Sequence, residues 1–233
     1  MQSELSRRSL LAGVATTTGA AAALSASGAY GSEARKTLKI VGIACSPRKG
    51  QTTATSMSVC LEAAKEFAPD KIETKLIELA GLSIPGQLAA GQPLRLGEED
   101  DFPKIVPELS APSVAGIIIG SPVYFGNMTY LCKAFLDRCV VFRKSDFSLA
   151  NKVGGVLAVG GVRNGGQELT IQSVQTALMC QEMIVVGDGR PTAHFGATVC
   201  SGKLEDVTQD EFGMATARNL GRRVAEVALR IHG

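Results

Sequence analysis

An apolar run, Val114-Ala115-Gly116-Ile117-Ile118-Ile119, passes without a charge into Gly120-Ser121-Pro122-Val123-Tyr124-Phe125-Gly126-Asn127-Met128. From Thr129 to Arg138, Leu131, Cys132, Phe135 and Leu136 then recur at helical spacing. A strand that is apolar at every position is buried on both faces, and burial on both faces calls for a parallel sheet with helices on each side. In such a sheet ligands sit beyond the C-terminal ends of the strands. Pro122 fixes the backbone there and Val123 continues it. Tyr124 and Phe125 offer flat faces, and Gly126 and Asn127 suit positive φ and present backbone groups. That inventory suits a flat heteroaromatic ring.

The rest of the chain repeats the same alternation. Thr37–Ala44 reads as a first, doubly buried strand, and Thr52 to about Phe67 as a helix ended by Pro69-Asp70. Lys71–Leu79 alternates charged with apolar residues and reads as a strand nearer an edge. Ala80–Gly97 is expected to be a loop. Glu98-Glu99-Asp100-Asp101 would then open a helix running to Leu109, with its acids favourably placed in the dipole field. Lys152–Gly160, a helix over Glu168–Cys180, a strand over Met183–Val186, a long loop over 187–203 and a last helix over Thr208–Ile231 complete the pattern. Alternating strands and helices predict an α/β, doubly wound, five-stranded parallel sheet. Its expected order is 2-1-3-4-5, which opens its switch point between the first and third strands.

Two further loops fall on the same edge. Cys45-Ser46-Pro47-Arg48-Lys49-Gly50-Gln51-Thr52-Thr53 joins the first strand to its helix. A phosphate needs backbone N–H donors, short hydroxyls and a helix N-terminus. Ser46, Thr52 and Thr53 supply hydroxyls, Gly50 and Gln51 supply backbone, and Arg48 supplies a cation. The same residues would also serve as an ordinary polar helix start. No Gly-Lys-Ser/Thr closes the loop and no Gly-x-Gly-x-x-Gly follows the strand, so a mononucleotide is favoured over a tightly held dinucleotide. After the fourth strand, Gly160-Gly161-Val162-Arg163-Asn164-Gly165-Gly166-Gln167 lets backbone approach a ligand edge.

Ser-Pro-Val-Tyr-Phe-Gly-Asn-Met followed by Lys-Ala-Phe-Leu-Asp-Arg resembles the ring-binding loop of the flavodoxin-like NADPH-dependent FMN reductases. Ser46–Thr53 resembles their phosphate loop, with Cys45 and Thr52 standing where that family has Gly and Asn. Gly160–Gln167 resembles their third, glycine-rich loop. The resemblance spans residues 37–190 and implies bound FMN, with NAD(P)H as a transient electron donor and a flavin, quinone or other small molecule as acceptor. It also implies a homo-oligomer. The flavin carries the chemistry, so no catalytic acid, base or nucleophile is expected. Cofactor contacts are expected from Ser46, Arg48, Gly50, Gln51, Thr52, Thr53, Pro122 to Asn127, Gly161, Arg163, Gly165 and Gly166. Arg163 would hold charge on a reduced ring or lie at an oligomer contact. The alternative is a flavodoxin-like electron carrier with no small-molecule substrate of its own.

Within that family the chain is similar to the iron–sulfur flavoproteins, which carry four cysteines in the loop after the second strand. Here Ile84–Leu94 holds none, so this chain cannot ligate their cluster. Cys60, Cys132 and Cys139 are expected in the core, and Cys45 is the cysteine expected to affect a ligand. A Cys180–Cys200 disulfide is conceivable.

Residues 1–31 read as an address and 32–233 as the FMN-binding domain. Ser6-Arg7-Arg8-Ser9-Leu10-Leu11, a modest apolar stretch to Leu24 and small residues up to Ala29 match a twin-arginine signal. Export by that machinery to the periplasm or beyond would carry a folded, cofactor-loaded protein. An uncleaved membrane anchor is the alternative. NAD(P)H is scarce outside the cytoplasm, so a quinol or a redox protein would then be the donor. A net charge of +2 with scattered basic residues argues against nucleic acid. With two histidines, His194 and His232, and no Gly-x-Ser-x-Gly, a hydrolase triad is not expected.

Overall fold

The computed structural model describes residues 37–202 and 206–233. The twin-arginine reading, the anchor alternative and the cleavage site fall on residues outside these. Among the described residues no helix is long and apolar enough to cross a membrane.

Strands β1 (Leu38–Ala44), β2 (Ile72–Glu78), β3 (Val114–Pro122), β4 (Val153–Gly160), β5 (Ile184–Val185) and β6 (Ala197–Cys200) form one parallel sheet in the order β2-β1-β3-β4-β5. β6 also pairs with β4. All residues of β3 and β4 are buried, while β2 on the edge keeps most of its residues partly exposed.

Helices α1 (Thr52–Phe67) and α6 (Glu211–His232) cover one face. Met57, Cys60, Leu61, Leu220 and Val224 pack there against Leu38, Ile40, Ile118 and Leu157. Helices α2 (Phe102–Ser110), α3 (Tyr130–Arg138) and α5 (Gln167–Met179) cover the other. Phe102, Leu131, Phe135, Ile171 and Val174 pack there against Val41, Ile43, Ile117 and Ile119. Each fully buried Ile or Phe is worth about 1.5–3 kcal/mol over exposure, so burying the central strands on both faces is the main source of stability. α1 and α6 cross closely because Gly221 has no side chain: a Cβ there would lie 1.9 Å from the Cys60 carbonyl oxygen.

The fold departs from expectation in several places. The acids stand at the start of α2 as expected, with Asp101 as its N-cap residue and Asp100 Oδ1 accepting from Phe102 N at 3.1 Å, but the helix itself begins only at Phe102 and the two carboxylates also reach outside it. Asp101 accepts from Ser83 N at 2.9 Å, and Asp100 makes a two-point ion pair with Arg138 at 2.9 and 2.7 Å. Gly86–Ala90, expected as loop, forms a 3-10 turn. The helix after Thr129 breaks at Cys139 and resumes as α4 (Val140–Lys144). The fifth strand is split. β5 pairs only with Val153 and Gly154, and the C-terminal half of β4 pairs instead with β6, inside the segment expected to be a long loop. Asp188, fully buried, turns the chain between them by accepting the Thr192 hydroxyl and the His194 N–H.

Candidate active site

The loops after β1, β3 and β4 leave the same edge of the sheet. The first is anchored by the ladder itself, since Cys45 N donates to Gly120 O at 2.7 Å. Ser46 Oγ, nearly buried, accepts from Arg48 N at 3.1 Å and curls the loop. Gly50, at φ +66°, donates its N–H to Glu78 Oε2 at 2.7 Å. Gln51 begins α1 without a side-chain cap, leaving the amides of the first turn with no side-chain acceptor from that residue. Thr52 and Thr53 are buried in that turn, and Thr53 Oγ1 has no hydrogen-bond partner among the described residues. A buried hydroxyl without a partner beside an uncapped helix start is a good match for a phosphate oxygen.

The second loop is a two-residue hairpin. Tyr124 N and Asn127 O are 2.8 Å apart, and Asn127 N and Tyr124 O 3.1 Å. Phe125 and Gly126 between them have φ of +51° and +74°, the signature of a type I′ turn. Positive φ was expected at Gly126 and Asn127. Phe125 takes it in place of Asn127, whose Oδ1 accepts from Met128 N at 2.8 Å. Phe125 is fully exposed and Tyr124 partly so, while Pro122 and Val123 stay in register with β4 through Val159.

The third loop is closed by Gln167. Its Oε1 accepts from Gly165 N at 2.8 Å, and its Nε2 donates to Val162 O at 2.8 Å. Gly166, at φ +102°, packs against the second loop, and a Cβ there would lie 2.8 Å from Gly126 Cα. The two loops expected to flank a ring are therefore in contact. Gly161 exposes its backbone nearby. Arg163 is not free to serve the ring as expected: its guanidinium donates to Thr198 O at 3.1 Å, pairs with Asp210 and lies over the Phe212 ring.

Three residues outside the expected set hold the loops together. Thr129 caps α3 by accepting from Cys132 N at 3.2 Å, and its hydroxyl donates to Cys45 O at 2.8 Å. Its own N–H donates to Ser121 Oγ at 3.1 Å, and that hydroxyl reaches Pro122 O. Gln167 is the third. The sequence signal for Thr129 was its place one residue before a helix, where Thr is a cap.

Cys45 does not face a ligand. Its thiol is fully buried beside Cys132, and burial foremost, then Cys132, pushes its pKa well up, so it is an inert core thiol. All six cysteines are free, including Cys180 and Cys200.

The loop after β2 is held without metal ligands. Gln87 Nε2 donates to Glu98 Oε2 at 2.6 Å, and Arg138 clasps Asp100 while lying 4.7 Å from the Phe102 ring centroid. The Arg138 guanidinium keeps the Asp100 carboxyl below its ordinary value. Among the described residues no His, Cys, Asp and Glu converge in a metal-binding group. An iron–sulfur cluster does not fit this chain. FMN does fit it. Ser46, Thr52 and Thr53 would hold its phosphate, and Tyr124–Asn127 with Gly161–Gly166 would flank its ring; Gly50, expected as a phosphate donor, instead gives its N–H to Glu78.

A parallel sheet in this order with three such loops defines a flavodoxin-like flavoprotein. The chain belongs to the NADPH-dependent FMN reductase family, whose pattern matches residues 38–198, and it is an FMN-dependent oxidoreductase with NAD(P)H as electron donor. It is 41% identical over 194 residues to an iron–sulfur flavoprotein of Methanocaldococcus jannaschii, covering 82% of this chain and 97% of that one. It is 29% identical over 187 residues to an NAD(P)H dehydrogenase (quinone) of Geobacter sulfurreducens, covering 74% and 85%. Among solved structures it is similar to a flavodoxin, WrbA-like protein from Agrobacterium tumefaciens. There the TM-score is 0.58 at 19% identity, covering 84% of this chain and 99% of that one.

Proposed function

We propose that this chain reduces a small flat acceptor, a quinone or a free flavin, through bound FMN. The observation that carries the reading is the contact between Gly126 and Gly166, which joins the two ring loops on the sheet edge where α1 also starts with a buried hydroxyl that has no partner among the described residues. The bound flavin supplies two-electron transfer. The protein supplies the rest. α1 and the Ser46–Thr53 loop bind the phosphate and so fix the position of the ring. The Tyr124–Asn127 hairpin orients one edge of the ring with its backbone. Gly161 and Gly166 bring backbone N–H groups close enough to stabilise negative charge on it, while Gly165 donates its own to Gln167 and shapes the loop. The relative named as a quinone dehydrogenase supports a quinone acceptor.

The purified protein is expected to show a flavin absorption spectrum, to release FMN on heating and to bleach anaerobically with NADPH. A colourless protein that takes up no added FMN overturns the reading.

We further propose that the protein is exported folded by the twin-arginine machinery and assembles as a homo-oligomer through its flavin face. Arg7 and Arg8 support export, and the exposed Phe125 and Tyr124 beside the site support pairing. In an exported protein a quinol or a redox protein would serve as a donor beside NAD(P)H. Cell fractionation of the wild type against an Arg7→Lys/Arg8→Lys variant tests export: retention of the variant in the cytoplasm is expected, and identical fractions for the two overturn it.

A further inference from the structure

A groove of about 530 Å³ lies between the second half of α6 and the loop that joins β5 to β6, and Phe67, the last residue of α1, also lines it. Helix and loop are fixed to each other. Asn219 Nδ2 donates to Thr192 Oγ1 at 2.9 Å, and Gly189, at φ +74°, lies so close to the helix that a Cβ there would meet the Arg223 side chain at 3.2 Å. α6 starts on the flavin edge, where its capping residue Asp210 accepts from Cys200 N at 2.7 Å. It ends beside the start of β4, where His232 Nε2 lies 3.1 Å from Asn151 O. The second half of α6, and the groove with it, therefore lies toward the end of the sheet opposite the ring loops.

Four arginines line the groove, Arg190 from the loop and Arg222, Arg223 and Arg230 from the helix. Arg223 and Arg230 share Glu226, at 2.9 and 2.5 Å. Arg190 and Arg222 make no hydrogen bond or ion pair among the described residues. Asp188, the other acid at the groove, is buried and turned onto Thr192 and His194 of its own loop. A cleft lined by guanidinium groups concentrates anions, and each fork matches the oxygens of a phosphate. The volume falls in the range of small-molecule sites and exceeds what one phosphate fills. Phe67 is half-exposed and supplies an apolar surface on which a planar ring packs. We propose that this groove binds a nucleotide, with its phosphate on Arg190 and Arg222 and its base against Phe67. The inference is independent of the flavin reading, because none of these residues belongs to the three cofactor loops.

The test is equilibrium dialysis of the purified protein, supplemented with FMN, against AMP, adenosine and inorganic phosphate at low salt. AMP is expected to bind more tightly than either of its parts. Arg190→Gln and Arg222→Gln are each expected to weaken AMP binding about tenfold and leave adenosine unchanged. Phe67→Ala is expected to weaken AMP binding about threefold and leave inorganic phosphate unchanged. All three variants should keep the flavin content of the wild type, read from visible absorbance, so a loss of AMP binding with FMN retained reports on the groove alone. Equal AMP binding by the wild type and both arginine variants overturns the site. Inorganic phosphate bound as tightly as AMP, in the wild type and in Phe67→Ala alike, overturns the nucleotide assignment. A polyglutamate peptide that binds where AMP does not overturns it in favour of an acidic protein partner.

Discussion

Thr129 Oγ1 donates to the Cys45 carbonyl oxygen across 2.8 Å, joining two residues 84 positions apart in the chain. The bond ties the start of the phosphate loop to the end of the ring loop. The same hydroxyl caps α3, so one side chain sets the spacing of the two halves of the cofactor site. Thr129→Val keeps the shape and removes both bonds, leaving a buried carbonyl and a helix N–H unsatisfied. A loss of about 1–3 kcal/mol in unfolding free energy is expected, with FMN affinity weakened at least in proportion. Thr129→Ser should restore most of both. Urea unfolding and flavin-fluorescence titration of the two variants check this.

Gly166 and Gly161 lie five residues apart in the same loop, and they separate backbone need from mere flexibility. A Cβ at Gly166 would meet Gly126 Cα at 2.8 Å, on a backbone at φ +102°. A Cβ at Gly161 meets nothing within 4 Å. Gly166→Ala should cost about 1–3 kcal/mol and spread the ring loops, lowering FMN affinity by an order of magnitude or more. Gly161→Ala should keep the unfolding free energy of the wild type, because its Cβ meets no protein atom. An equal unfolding free energy in the two variants would count against the Gly126–Gly166 contact as a structural determinant of the site.

The ladder order and the placing of three loops on one edge were legible in the sequence because buried strands are written as unbroken apolar runs. Val114–Ile119 and Val153–Gly160 could hardly be anything else. The split of the last strand was not legible. Ala197-Thr198-Val199-Cys200 is four residues long and sits among Gly, Pro and Thr, so only pairing with β4 identifies it. Side-chain direction was equally hidden. Cys45 and Arg163 sit in the right loops, but one turns into the core against Cys132 and the other is captured by Asp210, a residue 47 positions later. The acids at 98–101 were legible as a helix start, with Asp101 the N-cap residue, but their further partners Ser83, Gln87 and Arg138 were not, being distant in sequence.

Asp100 should make the protein acid-sensitive. Its carboxyl is held below the ordinary 3.8, chiefly by the Arg138 hydrogen bonds. A depressed folded-state value means the unfolded chain binds the proton more readily. The stabilisation is therefore present above the unfolded value and lost as pH falls through the folded one. Asp100→Asn should flatten the stability profile below about pH 4 and lower stability at neutral pH, because Arg138 is then left half-buried without its counter-charge. Unfolding midpoints between pH 3 and 7 for wild type and variant give the comparison.

Lys152 predicts the opposite slope. It is 6% exposed, and its ammonium donates to Ala111 O at 3.0 Å and Val114 O at 2.6 Å, closing the turn between α2 and β3. Burial pulls its pKa from 10.5 down to about 8. Between those two values the unfolded chain holds more protons than the folded one, so the contribution of Lys152 to stability rises with pH across that window. Below about pH 8 both states are charged and the contribution is level, at its lowest. Lys152→Met removes the titration, so its stability should lack this rise from pH 8 to 10.5. At pH 7 two opposing effects act on the variant: a buried charge is relieved, and two carbonyls lose their donor, at about 1–3 kcal/mol each where water cannot reach them. Denaturation midpoints measured in steps across pH 7–10.5 isolate the slope from that offset. A wild-type profile no steeper than that of Lys152→Met would show that the ammonium titrates with its ordinary value, and hence that Lys152 Nζ reaches water.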